Sequence, residues 1–206
     1  MHVYHRTLFP SIVSEVECDY FKLIQSNLID WIYNYQKNTD GVVLSNRGGW
    51  QSPSDFYLDD SFSEFADYIL QNSLTALSHY NLQFKMSNMW ININRKGDYN
   101  VVHNHSNSII SGVLWIKTPD NCGLLKFLSP HSFTQSLLLD NVDSDVAKKQ
   151  NYYSGYTFNP KEGTMILFPS DLLHGVEPNE SDEDRISIAF NLYATYRSGT
   201  YPLTFD

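Results

Sequence analysis

Two hydrophobic periodicities divide the chain. Over residues 12–38, Phe21, Ile24, Leu28, Trp31 and Ile32 recur at the spacing of one helical face. Ser14 is placed to cap this helix, with Glu15 and Glu17 in the first turn, and Asn38-Thr39-Asp40-Gly41 closes it with a turn signal. A polar loop at 41–60 carries Gly48, Gly49 and Pro53. A second helix is predicted over 61–79 from the stripe Phe62, Phe65, Ile69, Leu70, Leu74 and Leu77. Both stripes read as faces packed on a sheet.

From residue 84 the period changes to two. Met86, Asn88, Trp90, Asn92 and Asn94 alternate with Ser87, Met89, Ile91 and Ile93. Further short strands are predicted at 101–106, 109–117, 123–128, 163–168 and 185–195, with Gly, Pro, Asn or Asp in the gaps. Residues 129–159 are less patterned. They read as an insertion with a short helix near 143–150 and a Tyr-rich stretch at Tyr152, Tyr153 and Tyr156, of the kind that shapes the mouth of a site. Many short strands behind a helical annex predict a mainly β fold, a sandwich or jelly roll with helices buttressing one sheet. The chain then forms one domain, with an annex at 1–85 and a β core at 86–206.

Composition narrows the partners. Hydrophobic residues make up 42% of the 206 residues, enough for a packed core. The formal net charge is −9, and the densest basic spot is the pair Lys148 and Lys149, so no basic stripe awaits a phosphate backbone. Nucleic acid is not an expected partner. Cys18 and Cys122 make no CxxC or zinc spacing and read as reduced thiols. The N-terminus lacks the apolar run of a signal peptide and no stretch has the length of a membrane span. A cytoplasmic protein is expected.

Candidate chemistry begins at His103-Asn104-His105. On a strand, residues i and i+2 share a face, so two imidazoles project together, and neutral imidazole suits a first-row divalent metal. The best third ligand is His174, presented by the turn after the apolar run 165–168 and Pro169. Three ligands on one face leave the opposite positions open, as an oxygen-activating iron requires. Eleven residues on, Arg185 and Ser187 share the less hydrophobic face of the last strand. An Arg beside a hydroxyl can clamp a carboxylate, the Arg bidentately. Alone, Arg185 would read as an ion pair to the acidic turn before it, and His2, His5 and His131 as surface residues without a role.

Taken in order, these motifs resemble the Fe(II)/2-oxoglutarate dioxygenase superfamily, in particular a bacterial and phage prolyl-hydroxylase-like branch. The resemblance rests on Asn100 to His105, Ser111-Gly112-Val113, the block from Gly163 to Asn179, the strand from Arg185, and the segment Ser45 to Ser52. It implies a double-stranded β-helix of cupin-like jelly-roll form. It also implies Fe(II), 2-oxoglutarate as co-substrate and O₂, with His103 and His174 as metal ligands. The family's usual carboxylate position falls on His105, so the set is either three His or two strong ligands; a second register would take His105 first and Asn107 next. Arg185 and Ser187 would pair with the distal carboxylate of 2-oxoglutarate. Asn94 and Gly97 match the family's spacing before the first His and place Asn94 at the co-substrate. The implied reaction is hydroxylation of a peptidyl, prolyl-type or small-molecule substrate, with release of succinate and CO₂. Two rivals stay open: a three-His cupin-type iron dioxygenase that does not use 2-oxoglutarate, and a non-catalytic jelly-roll module with a metal site.

Overall fold

The computed structural model of the chain describes residues 1–4 and 8–196. His5 and the last ten positions of the expected β core lie outside the described residues. The elements run β1 (Ser14–Glu17), α1 (Phe21–Asn38), β2 (Asn46–Arg47), β3 (Trp50–Gln51), α2 (Ser63–Ala76), β4 (Leu82–Asn94), β5 (Tyr99–His103) and β6 (Ile110–Lys117). They continue through β7 (Leu125–Leu128), α3 (Phe133–Asp140), α4 (Ser144–Gln150), β8 (Gly155–Phe158), β9 (Thr164–Pro169), β10 (His174–Val176) and β11 (Arg185–Tyr196).

Two antiparallel sheets result, ordered β1-β9-β6-β11-β4-β3 and β2-β5-β10-β7-β8. From β4 onward the chain passes repeatedly between them. Such crossing of two facing sheets is the topology of a jelly roll, here a double-stranded β-helix. The short hairpin of β2 and β3 has one arm on each sheet, β2 on β5 and β3 on β4, and so bridges the barrel at one side.

The alternation along β4 and β11 sorts side chains into two environments. Ile91, Ile93, Ile186, Ile188 and Phe190 face outward into the main core, where Phe21, Leu28 and Ile32 of α1 and Ile69 of α2 cover them. This is the buttressing read from the helical stripes. The opposite faces point into the barrel. There a smaller cluster of Val113, Trp115, Leu125, Phe127, Ile166, Phe168 and Leu172 gives way to buried Asn92, Asn100, Ser111, Arg185, Ser187 and Asn191. A barrel interior this polar is built for a ligand rather than for stability alone.

The structure corrects the sequence at the N-terminus. Residues 14–17 do not open a helix, and Ser14 caps nothing. They form an edge strand paired with Thr164 to Leu167. The sequence Ser-Glu-Val-Glu has the period of a strand, and the helical stripe never extended before Phe21. The chain turns into α1 through Tyr20 at φ 60°, without a side-chain cap. The insertion is also richer than expected. The helix near 143–150 is present as α4, capped by Asp143, but α3 precedes it, and the Tyr-rich stretch runs into β8, which pairs with β7. None of α3 is buried, so no apolar stripe marks it in the sequence. Among the described residues, no helix is long and apolar enough to cross a membrane.

Gly112 has a packing reason. It lies opposite Phe190 in the β6–β11 register, and a Cβ there would come within 2.3 Å of the Phe190 ring. Gly112→Ala is expected to lower stability by about 1–3 kcal/mol and the melting temperature by about 2–12 °C. Thermal unfolding followed by circular dichroism checks this, and an unchanged midpoint would show that Phe190 repacks freely.

Candidate metal centre

His103 is the last residue of β5 and His174 the first of β10, and the antiparallel register places them directly opposite. Opposed residues on antiparallel strands project to the same side, so residues 71 positions apart bring their rings to a centroid distance of 4.5 Å. His105 reaches them differently from the strand-face expectation. It stands beyond the end of β5, in a loop, where its backbone N–H donates to the carbonyl of Ser170 at 2.8 Å. Its ring lies 4.9 Å from that of His103 and 5.2 Å from that of His174. One ligand atom from each of the three imidazoles falls within 4.8 Å of the others.

The protonation states suit a metal. His103 Nδ1 donates to the Val101 carbonyl at 2.7 Å and His174 Nδ1 to the Leu172 carbonyl at 2.8 Å, in the tautomer that leaves each Nε2 lone pair free. Burial lowers the pKa of His103. Burial and then the neighbouring His103 push His105 down to about 4. Burial is also the main cause of the fall of His174 to about 3. The apolar surroundings are explicit: Trp90 packs at 5.4 Å from the His105 ring, and Phe168 and Phe127 at 4.6 and 6.1 Å from that of His174. At neutral pH the site therefore presents three uncharged nitrogen donors, which fit a first-row divalent ion such as iron.

No carboxylate joins this group among the described residues. Asp98 is occupied in the turn between β4 and β5, where its Oδ2 accepts the Arg95 backbone N–H at 2.7 Å. Asn107 is exposed in the loop after His105.

At the other end of the barrel sits Arg185, 1% exposed. It forms no ion pair with the acidic turn. Instead its side chain spans the interior, and Nη1 donates to the carbonyls of Cys122 and Glu177, the latter at 2.9 Å, at the ends of β7 and β10 in the facing sheet. Gly123, at φ 81°, lets these two segments meet; a Cβ there would lie 2.5 Å from the Pro178 carbonyl. Nε and Nη2, which form one edge of the guanidinium, have no partner among the described residues. Burial lowers the Arg185 pKa to about 10, so the group remains cationic at neutral pH.

Beside the imidazoles runs a narrow cavity of about 40 Å³, lined by Trp90, Asn92, Asn100, Ser187, Ala189 and the three histidines, among others; Arg185, two residues before Ser187 on β11, is not among its lining residues. Ser187 is thus on the wall. Asn94 is buried opposite Arg185 in the β4–β11 register but does not line the cavity. Ser45, Asn92 and Asn100, which carry no site role in the sequence reading, also line the cavity. Asn100 Nδ2 donates to Ser45 Oγ at 3.3 Å and to Asn92 Oδ1 at 3.4 Å, forming a polar wall beside the cavity. For Asn92 the signal was present as the polar face of β4, an alternation that pointed inward rather than to solvent. Cys18 and Cys122 are both buried and free of disulfides.

A family model described as "Putative 2OG-Fe(II) oxygenase" matches residues 88–191. The chain belongs to this family. That span runs from the inner face of β4 through all three histidines and Arg185 to Asn191. Among solved structures, this oxygenase resembles the non-heme alpha ketoglutarate dependent epimerase SnoN from nogalamycin biosynthesis, with TM-score 0.65 and 11% identity over 93% of this chain and 86% of that one. It also resembles a Pseudomonas putida prolyl-4-hydroxylase, with TM-score 0.58 and 15% identity over 90% and 92% of the two chains. The viral collagen prolyl hydroxylase vCPH of Paramecium Bursaria Chlorella virus-1 matches with TM-score 0.56 and 12% identity over 87% and 94%. At these identities the likeness is one of fold. No curated protein sequence matches the chain. The oxygenase's cofactor and co-substrate are iron and 2-oxoglutarate, for which the three-imidazole group and the open Arg185 edge are chemically suited.

Proposed function

We propose that this oxygenase hydroxylates a peptidyl, prolyl-type side chain, or failing that a small molecule, through iron held by His103, His105 and His174. The observation that carries the co-substrate assignment is the buried Arg185 edge, with Nε and Nη2 both unpartnered. A fork of two parallel N–H groups matches a carboxylate bidentately, and Ser187, two residues on along β11, presents its hydroxyl from the cavity wall. A three-His dioxygenase that uses no 2-oxoglutarate leaves the open edge of this buried cation without a partner. Asn94 is buried on the same rung as Arg185 and is taken as part of the co-substrate's surroundings.

When bound, iron and 2-oxoglutarate supply the activation of O₂ that yields succinate and CO₂ and oxidises a substrate C–H bond. The chain's own contribution is orientation and exclusion. The carbonyls of Val101 and Leu172 fix the rings of His103 and His174, and the Ser170 carbonyl anchors the loop of His105. Trp90, Phe127 and Phe168 keep water from the imidazoles. The cavity is smaller than a five-carbon dicarboxylate, so binding must widen it, and the wall residues outside the sheets are His105 in its loop and Ser45 before β2. Two of the similar folds belong to prolyl hydroxylases and one to an epimerase, which makes a prolyl peptide the first substrate to try.

The test is anaerobic. Protein loaded with Fe(II) and given 2-oxoglutarate is expected to develop a visible metal-to-ligand charge-transfer band. In air, proline-containing peptides should then gain 16 Da with matching succinate. Tight Fe(II) binding with no band at saturating co-substrate would overturn the assignment, and a band without peptide oxidation would move the substrate to small molecules.

A further inference from the structure

Of the three clustered imidazoles, His103 and His174 belong to strands and His105 to a loop. Its position therefore depends on what grips that loop. Both ends of the stretch 105–109 are tied to Ser170, in the turn after β9. The His105 N–H donates to the Ser170 carbonyl at 2.8 Å, and the Ser170 N–H donates to the Ile109 carbonyl at 3.1 Å. A turn has no ladder of its own, so the Ser170 side chain matters. It is buried, with its Oγ 2.9 Å from Ser111 Oγ. Ser111 Oγ lies 2.6 Å from Asn191 Oδ1, and Asn191 Nδ2 lies 2.9 Å from Asn88 Oδ1. Asn88, Asn191 and Ser111 are cross-strand neighbours on one rung of β4, β11 and β6. These are the central strands of the larger sheet.

We propose that Ser170 is a positioning residue for His105, held in place through Ser111 and Asn191 by a one-directional chain of hydrogen bonds; the role rests on the reading of His105 as a metal ligand. The hydrogens available set the direction. A hydroxyl has one hydrogen to give, and an amide oxygen only accepts. Asn191 Nδ2 donates to Asn88, so Asn191 Oδ1 faces Ser111 and accepts its hydrogen. Ser111 then offers Ser170 only a lone pair, and Ser170 must be the donor. Ser170, Ser111 and Asn191 are all buried. Satisfied in one arrangement, such a chain is rigid, and each bond strengthens the next. It runs from the middle of the sheet to the residue whose carbonyl holds His105. His174 lies four residues beyond Ser170, but the β10 ladder and the Leu172 carbonyl fix it independently. Loss of the chain therefore falls on His105.

Anaerobic Fe(II) titration of a double-mutant cycle tests this without turnover. Ser170→Ala keeps the backbone carbonyl that bonds His105 and removes only the anchor. It is expected to weaken Fe(II) binding about tenfold in otherwise unmodified protein and to leave it within about twofold in His105→Ala protein, because Ser170 acts through His105. Ser111→Ala breaks the chain from the other side and is expected to show the same dependence, so either variant carries the cycle if the other fails to fold. Ser170→Thr, which retains the hydroxyl, is expected to recover most of the affinity. Melting curves run alongside, since a merely structural role would lower stability without any dependence on His105. Equal weakening in both backgrounds, or in neither, overturns the role. If His105→Ala alone binds Fe(II) as tightly as the unmodified protein, the ligand assignment fails and the positioning role with it, a result visible before Ser170 is changed. The cycle contains no 2-oxoglutarate, so failure of the co-substrate reading leaves its outcome standing.

Discussion

Arg185→Ala is expected to weaken 2-oxoglutarate binding by roughly 30-fold to several thousand-fold, while Fe(II) affinity stays within about twofold. Removing one partner of a buried, hydrogen-bonded charge pair costs about 2–5 kcal/mol, and each 1.4 kcal/mol is a factor of ten. Arg185 is a buried cation two residues along β11 from cavity-lining Ser187, and one edge of its guanidinium has no partner among the described residues. The imidazoles bond to Val101 and Leu172, so the metal site does not depend on it. The substitution also strips a donor from the carbonyls of Cys122 and Glu177, which lowers stability. For that reason the measurement pairs a charge-transfer titration with a melting curve. Arg185→Lys sharpens the result: it restores a charge but not a fork, and is expected to recover part of the stability and little of the affinity. Equal 2-oxoglutarate affinity in Arg185→Ala and the unmodified protein would remove the basis for the clamp.

The order of motifs made much of this site legible in advance. His103, His174 and Arg185 are far apart in the chain, yet strand period places His103 within a strand and Arg185 at the start of one; His174 reads as part of a turn, because the three-residue β10 that it opens is too short to show a period. The Ser111-Gly112-Val113 motif acquires three separate reasons. Ser111 Oγ donates to Asn191 Oδ1 at 2.6 Å, Gly112 makes room for Phe190, and Val113 lines the cavity. What stayed hidden is what depends on pairing. The chain of bonds from Ser170 to Asn88 links the turn after β9 to three strands, and nothing in any one of them announces its partners. The edge strand at 14–17 was masked by acidic residues that serve equally well at a helix start. The exposed helix α3 was masked because it buries nothing.

His174→Ala is expected to abolish turnover, with a fall of a thousandfold or more, and to weaken Fe(II) binding beyond stoichiometric loading. His174 is the most buried of the three imidazoles and the one packed on Phe168 and Phe127. Its loss leaves two nitrogen donors and a hole in an apolar wall, which water enters. Metal titration under anaerobic conditions and succinate release read the two effects separately, and near-normal loading of the alanine variant would exclude His174 from the ligand set. His105 makes the informative contrast, because it stands where the family resemblance implies a carboxylate. Three neutral donors leave the full charge of a divalent ion uncompensated, whereas a carboxylate cancels half of it. His105→Asp is therefore expected to keep the metal, provided the shorter side chain reaches it from a loop held at the Ser170 carbonyl. It is also expected to bind the dianionic 2-oxoglutarate more weakly than the unmodified protein does. An unchanged 2-oxoglutarate affinity in a metal-loaded His105→Asp protein would show that the charge of the ligand set does not reach the co-substrate. The third histidine would then be a matter of geometry alone.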